Sequence, residues 1–303
     1  MSFWMNKTAV LTGAGSGFGK ECALIGAKAG MNLVLADVQT DALQETAKQC
    51  LQMGANVLAK TLDVSKAEEV EQLAQETFTL FGAPHLVFNN AGVGAGGLVW
   101  ENSLADWQWV LGVNLMGVVH GVKSFTPMML AEAKNNPSYQ AQIINTASMA
   151  GLLNAPNMGI YNVSKHAVVS LSESLYQDLA LVTDQVSASV LCPYFVPTGI
   201  SQSHRNRPSD LVNSQKPTQS QLIGQAMSDK AVSSGKVTAA EVAQKVFDAA
   251  QAKQFYIYSH PQALGLVQVR LEDVVQGKNP TDPFIHKPAI GEKLKQALGS
   301  QEA

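Results

Sequence analysis

Apolar positions along the chain fall into short unbroken runs, separated by longer stretches in which they recur every three or four residues. TAVLTG (8–13), NLVLADV (32–38), NVLAKTLDV (56–64), HLVFNNAG (85–92), AQIINTAS (141–148), VSASVLCP (186–193) and QFYIYSH (254–260) are the unbroken runs. They lack polar alternation, which predicts strands covered on both faces. Helical spacing predicts helices over 19–30, 41–54, 65–82, 103–133, 159–182 and 238–253. Gly30 and Gly54 close the first two. Ser65 is read as the N-cap of the third, with Glu68 completing a capping box, and the fourth is interrupted by glycines and Pro127. Strand–helix–strand repetition implies parallel strands with right-handed crossovers, a doubly wound α/β fold.

The expected architecture is a single Rossmann-type domain over 1–303, with a mostly parallel seven-stranded sheet and helices on both faces. Its core spans 6–260, and a C-terminal extension over 261–303 adds one or two helices. Residues 201–235 break the rhythm, being rich in Ser, Gln, Asn and Pro. They read either as a disordered linker or as a mobile lid. Their place after the sixth strand, at the carboxyl edge where ligands bind in such sheets, favours a substrate-binding lid over 199–235.

Composition narrows the partners. Only 15% of residues are charged, the formal net charge is −3 and Lys and Arg are scattered. That argues against nucleic acid or an anionic membrane as the main partner. Cys22, Cys50 and Cys192 are odd in number and in no metal spacing, so free thiols and no metal site are expected. No signal-peptide plan opens the chain and no run of 18 apolar residues occurs, so a cytoplasmic location is expected.

LTGAGSGFG (11–19) joins the first strand to the first helix, with Gly13, Gly17 and Gly19 spaced G-x-x-x-G-x-G. Glycines allow the tight turn and let backbone N–H groups approach a diphosphate at a helix N-terminus, although such turns also occur without ligands. Asp37 ends the next strand, where a carboxylate accepts from a ribose 2′-hydroxyl and repels a 2′-phosphate. No Arg or Lys lies in the turn or immediately after Asp37, which favours NAD over NADP. Asp63 has two readings, acceptor for an adenine amino group or cap of the following helix. Tyr161 and Lys165, at i and i+4 in YNVSK, share a helix face. Alone, that spacing fits a solvated surface pair as well as a catalytic one.

TGAGSGFG (12–19), Asp37, DV (63–64), NNAG (89–92), Asn114, Ser148, YNVSK (161–165) and PYFVPT (193–198) occur in one order over about residues 6–200. Together they resemble the short-chain dehydrogenase/reductase family, in its classical branch. The resemblance implies a nicotinamide-dependent oxidoreductase interconverting an alcohol and its ketone by hydride transfer; Asp37 favours NAD, and the apolar or small candidate pocket residues, without Arg, favour a hydrophobic secondary alcohol. It implies that Ser148 hydrogen-bonds the substrate oxygen, that Tyr161 is the general acid/base, and that Lys165 acidifies the phenol and holds the nicotinamide ribose. Asn114 would let its helix bind a water linking Lys165 to solvent. Cofactor contacts are implied for Gly13, Ser16, Gly17, Phe18, Gly19, Asp37, Val38, Asp63, Val64, Asn90, Ala91, Gly92, Pro193, Val196 and Thr198, besides Tyr161 and Lys165.

Two departures stand out. Tyr194 follows Pro193 where the family usually has glycine, which narrows the pocket or adds a stacking surface. The end of the sheet lacks the family's Asp-Gly-Gly-type turn, so a homodimer is expected ahead of a homotetramer. Val93, Gly94, Ala150, Leu152, Met158, Tyr194 and Phe195 are the candidate substrate contacts, and no Arg stands in those loops. Trp107, Trp109 and Trp100 are read as core or subunit-interface residues and His166 as structural. An epimerase or dehydratase using the same tyrosine is disfavoured by the glycine spacing. A non-catalytic NAD(H)-sensing protein is disfavoured by the complete Asn114–Ser148–Tyr161–Lys165 set.

Overall fold

In the computed structural model, which describes residues 3–299, the seven apolar runs form one sheet in the order β3-β2-β1-β4-β5-β6-β7. Every neighbouring pair is parallel. Residues 1–2 and 300–303, the ends of the N-terminal lead-in and of the expected C-terminal extension, lie outside the described residues. The strands are β1 (Thr8–Thr12), β2 (Asn32–Asp37), β3 (Val57–Thr61), β4 (Leu86–Asn89), β5 (Ala141–Thr146), β6 (Val186–Cys192) and β7 (Tyr256–Tyr258). The helices are α1 (Gly17–Lys28), α2 (Thr40–Gln52), α3 (Ala67–Phe81), α4 (Leu104–Leu111), α5 (Gly117–Asn135), α6 (Gly159–Val182), α7 (Gln219–Ser233), α8 (Ala239–Ala252), α9 (Leu264–Val275) and α10 (Pro288–Gly299).

Successive strand residues point to opposite faces, and here both sets are buried. Leu11, Leu33, Leu35 and Phe88 pack with Ala23 of α1 and Val246 and Phe247 of α8. Val10, Val34, Val87 and Ile143 pack with Val70 and Leu73 of α3 and Phe125 and Met129 of α5. Each fully buried Leu, Val or Phe contributes about 1.5–3 kcal/mol, and with no solvated face the strands read as apolar runs.

The chain lays β2 and β3 on one side of β1, then returns to place β4 on the other. Ligands of such sheets bind at this reversal. The turns after β1 and β4 meet there: a Cβ on Gly13, whose φ is +67°, would lie 3.0 Å from Ala91 Cα.

Several boundaries differ from expectation. The third strand stops at Thr61, and α3 begins at Ala67 with no side-chain cap. The Ser65 N–H donates to Asp63 Oδ1, and Glu69, not Glu68, reaches back to accept from the Asp63 N–H. The long fourth helix is continuous through its glycines, but Gly112–Met116 widens into a π-helical turn, and Pro127 lies inside α5. The last strand keeps only three residues. Residues 201–235 are neither a linker nor structureless: they hold 3₁₀ segments at Gly199–Asn206 and Ser209–Leu211 and the helix α7, started by a Thr218–Gln221 capping box.

Candidate active site

The glycine turn delivers the chain into α1 under tight steric limits. A Cβ on Gly19 would lie 2.2 Å from the Gly13 carbonyl oxygen, and one on Gly15 2.9 Å from Asp37 Oδ2. Ser16 caps α1 without a side-chain bond, and the first turn, with Phe18 packed on the core, holds no acidic residue. The positive end of this helix is therefore not neutralised by a carboxylate of its own, unlike α3, α4 and α8. Asp37 is held from both sides: the Gly15 N–H donates to Oδ2 and the Gln39 N–H to Oδ1, each at 2.8 Å. Each oxygen keeps further acceptor capacity. An open helix end and a fixed carboxylate across one crevice fit a dinucleotide's diphosphate and ribose.

The remaining candidate cofactor residues divide by place. Val38, just beyond Asp37, is exposed, whereas Val64 is buried against Gly117 and would clash with a Cβ there at 2.7 Å. Asp63 takes the turn-forming role ahead of α3. Asn90 ties three strand ends together: its Nδ2 donates to the Thr12 carbonyl at 3.0 Å and its Oδ1 accepts from Thr146 Oγ1 at 3.3 Å. The Ala91 N–H donates to Thr12 Oγ1. Thr198 lies against Gly17, at 3.3 Å from a Cβ built there, and Val196 is buried.

Four elements bring the chemical end together. Ser148 follows β5 and caps the 3₁₀ turn Met149–Gly151, its Oγ accepting from the Ala150 N–H at 3.1 Å and donating to the Pro193 carbonyl at 3.3 Å. Tyr161 is in the first turn of α6, and Lys165 one turn later places Nζ 5.7 Å from the Tyr161 ring centroid. The ammonium is buried and donates to the Thr146 carbonyl at 2.8 Å. Asn114, in the π-helical turn, is fully buried, accepts from the Val93 N–H and donates to the Val93 carbonyl and to Ser164 Oγ. Gly92 is where Asn114 and Lys165 meet: a Cβ there would lie 3.4 Å from Asn114 Oδ1 and 3.6 Å from Lys165 Nζ.

Burial brings the Lys165 ammonium down to about 8, against the opposing effect of the Cys192 sulfur. Burial also pushes the Tyr161 phenol above its ordinary value, and a hydrogen bond with Ser148 pulls it back. The expected acidification of Tyr161 is therefore not a property of the polypeptide alone.

Of the candidate substrate contacts, Val93 is a core residue, packed with Trp109, Val110 and Ile160. Gly94 donates its N–H to Ser203 Oγ at 2.8 Å, and Met158 bridges Gly97. Leu152 packs toward α9 with Val267 and Leu264. Tyr194 is partly exposed, with its ring against Phe195 (4.5 Å between centroids) and edge-on to His260 (5.8 Å). Trp109 is core, whereas Trp100 is exposed. The His166 ring bonds the Asn162 carbonyl of its own helix.

Four further side chains contribute that no sequence motif marked. Ser259 accepts from the Tyr194 N–H at 2.8 Å and pairs with the His260 ring, so the segment after β7 sets the departure from Pro-Gly. Ser203 and Ser220 dock the 199–235 segment onto the loop after β4; Ser220 Oγ accepts from the Leu98 N–H and donates to Glu101. Arg205 reaches across 166 positions to donate from Nε to Gln39 Oε1 at 3.0 Å. None carries a local signal, because each partner is remote in sequence. Among the described residues, no helix is long and apolar enough to cross a membrane, and no group of His, Cys, Asp and Glu could hold a metal ion.

The family model for short chain dehydrogenases matches residues 7–209. A dehydrogenase/reductase of CLA biosynthesis from Lactiplantibacillus plantarum is 32% identical, over 92% of this chain and 97% of its own. A cyclohexanol dehydrogenase from Acinetobacter is 34% identical over 56% of this chain and 65% of its own. The crystal structure of a short-chain dehydrogenase/reductase from Burkholderia phymatum in complex with NAD superposes with a TM-score of 0.90 at 51% identity, covering 93% of this chain and 99% of that one. With the parallel sheet, the glycine turn and the crevice at its switch point, these matches place the chain in the short-chain dehydrogenase/reductase family, as an oxidoreductase acting on CH–OH groups.

Proposed function

We propose that the protein is an NAD-dependent dehydrogenase interconverting a hydrophobic secondary alcohol and its ketone, with Tyr161 as general acid/base. The observation that carries this reading is a connected set: Asn114 and Lys165 meet at Gly92, Lys165 stands over the Tyr161 ring, and Tyr161 is hydrogen-bonded with Ser148. The start of α1 would hold the diphosphate of NAD and Asp37 a ribose hydroxyl, and the bound cofactor would supply the hydride acceptor and a positive charge.

In alcohol oxidation Tyr161 takes the hydroxyl proton, and in ketone reduction it returns one to the carbonyl oxygen. Its phenol is held high by burial, so added positive charge is needed to make it a base near neutral pH. Ser148, whose hydroxyl is oriented by the Ala150 N–H and the Pro193 carbonyl, positions the substrate oxygen. Lys165, which donates to the Thr146 carbonyl, would hold the nicotinamide ribose. Asn114 fixes the loop after β4 through both polar groups of Val93.

On the substrate side, Tyr194, Phe195 and His260 form an aromatic cluster, and the 199–235 segment docks on the loop after β4. The loop stretches 93–95, 150–158 and 194–195 contain no arginine to grip a substrate carboxylate or phosphate. A relative named for cyclohexanol fits the same class.

The test is NADH absorbance on mixing the protein with NAD or NADP and a panel of secondary alcohols. Turnover of hydrophobic secondary alcohols with NAD is expected, lost by at least a hundredfold in Tyr161→Phe at unchanged NADH affinity. Unchanged turnover in that variant refutes the mechanism, and equal or better turnover with NADP refutes the role of Asp37.

A further inference from the structure

The cation that the fold brings to the nucleotide crevice has no part in the chemistry above. Arg205 lies near the end of the 3₁₀ segment Gly199–Asn206, and it is exposed. Besides the Gln39 bond, its Nη1 donates to the carbonyls of Gly199 at 3.2 Å and Gln202 at 2.6 Å. Its partners are neutral: no acidic side chain among the described residues forms an ion pair with it. A Cβ on Gly199 would lie 3.0 Å from Arg205 Nη2 and 3.8 Å from Ser16 Oγ. The guanidinium therefore stands between the glycine turn and the residue two places after Asp37.

Two features make this a built position. Arg207 anchors the same segment through a buried ion pair with Asp106 at 2.5 Å, so little further order is needed to hold Arg205 in place. The glycine turn and Asp37–Gln39 contain no cation of their own. A guanidinium served only by amide and carbonyl oxygens keeps its preference for an anion, and its fork matches two phosphate oxygens.

We propose that Arg205 binds the diphosphate of the dinucleotide, supplying from the substrate side the charge that the glycine turn lacks, and so couples nucleotide binding to closure of residues 199–235. This rests on the dinucleotide reading above. A 2′-phosphate would suit the same guanidinium, but the Asp37 carboxylate two residues from Gln39 opposes it, so the diphosphate is the anion assigned.

The test compares wild type, Arg205→Met and Arg205→Lys by calorimetric titration with NADH, NADPH, ADP-ribose and adenosine. Arg205→Met is expected to weaken NADH and ADP-ribose about tenfold and adenosine less than twofold, with partial recovery in Arg205→Lys. ADP-ribose should also slow proteolysis of residues 199–235 in wild type and not in Arg205→Met. Wild-type ADP-ribose affinity in Arg205→Met overturns the proposal alone. A loss confined to NADPH moves the contact to a 2′-phosphate and likewise overturns it. Failure of the wild type to bind any dinucleotide overturns both this proposal and the proposed function.

Discussion

Replacing Arg207 by methionine keeps most of the side-chain stem and removes a charge that several elements share. The guanidinium donates to Asp106 Oδ1 at 2.5 Å, to the Leu211 carbonyl at 2.7 Å and to Asn213 Oδ1 at 3.3 Å, and stands 5.2 Å from the Trp109 ring centroid. The paired side chains are only 15% and 7% exposed. Removing one partner of a fully buried pair costs about 3–5 kcal/mol, and of an exposed pair about 0–1. Asp106 would still accept from the Ser103 N–H, Asn213 and Gln221, which places the cost at about 2–3 kcal/mol. Where that cost falls depends on what else holds the segment. Only Ser203 is buried in Gly199–Asn206, nothing in Ser209–Leu211, and only Ser220 and Val232 in α7. With so little apolar burial the segment opens by itself, leaving the sheet intact.

The expected result is therefore asymmetric. Cleavage within 199–235 by a broad-specificity protease should quicken about 30- to 150-fold in Arg207→Met, since 1.4 kcal/mol is a factor of ten in the open population. Were the whole molecule to share the loss, Tm would fall by about 4 °C, taking an unfolding entropy of about 0.6 kcal/mol/K for a chain of this size; a fall under about 1 °C is expected instead. A double-mutant cycle with Asp106→Asn isolates the pair. Burial pushes the Asp106 carboxyl up, but the Arg207 bond, the Ser103 N–H, Asn213 and the Arg207 charge outweigh it and hold it below the ordinary value. A depressed carboxyl contributes stability above its unfolded pKa and loses it as pH falls through the folded one. Wild-type cleavage should thus rise only in acid. Wild-type protease resistance in Arg207→Met at neutral pH would refute the clamp.

Two further outcomes follow from buried groups. The Lys165 ammonium, ordinarily near 10.5, is brought to about 8 by burial, so between these values the unfolded chain binds more protons and stability rises with pH. The urea-unfolding difference between nucleotide-free wild type and Lys165→Met should shift in favour of wild type by on the order of 2 kcal/mol from pH 8 to 10, and a flat difference would show that Lys165 is solvated. Gly121→Ala would drive a Cβ to 2.0 Å from Asn89 Oδ1, within a buried chain running Asn89–Asn145–Ser172. A loss of about 2–3 kcal/mol, or about 3–5 °C in Tm by scanning calorimetry, is expected, and a change under 1 °C would mean that the amide chain relaxes freely.

The sheet was legible because burial on both faces leaves unbroken apolar runs, and the parallel direction of its strands followed from the alternation with helices. The site's polar residues were legible as a set because they sit at the ends of those strands and on the helices that follow, at spacings local to each element. Smaller features failed where a near-equivalent residue took the role, as with Glu69 in place of Glu68 at the start of α3. Tyr194 could be singled out as a departure, but not its setting, because Ser259 lies 65 positions away.

In the segment 199–235 the sequence left the internal order unread. Its Ser, Gln, Asn and Pro content fitted either a linker or a lid and carried no sign of helix α7 or of the partners more than 100 positions away: Ser203 on Gly94, Asn213 on Ser103 and Ser220 on Glu101. Such contacts leave no periodicity, because the partner and not the neighbour decides which position is polar. They also give a cover that lifts without exposing a hydrophobic core, since each freed group regains hydrogen bonds from water. Under the proposed function, a segment that admits and releases an apolar alcohol and a dinucleotide would be better held by exchangeable polar bonds than by buried leucines. The polar composition is therefore what the proposed cover would require, with Arg207 clamping the segment to Asp106 and Arg205 offered to the cofactor.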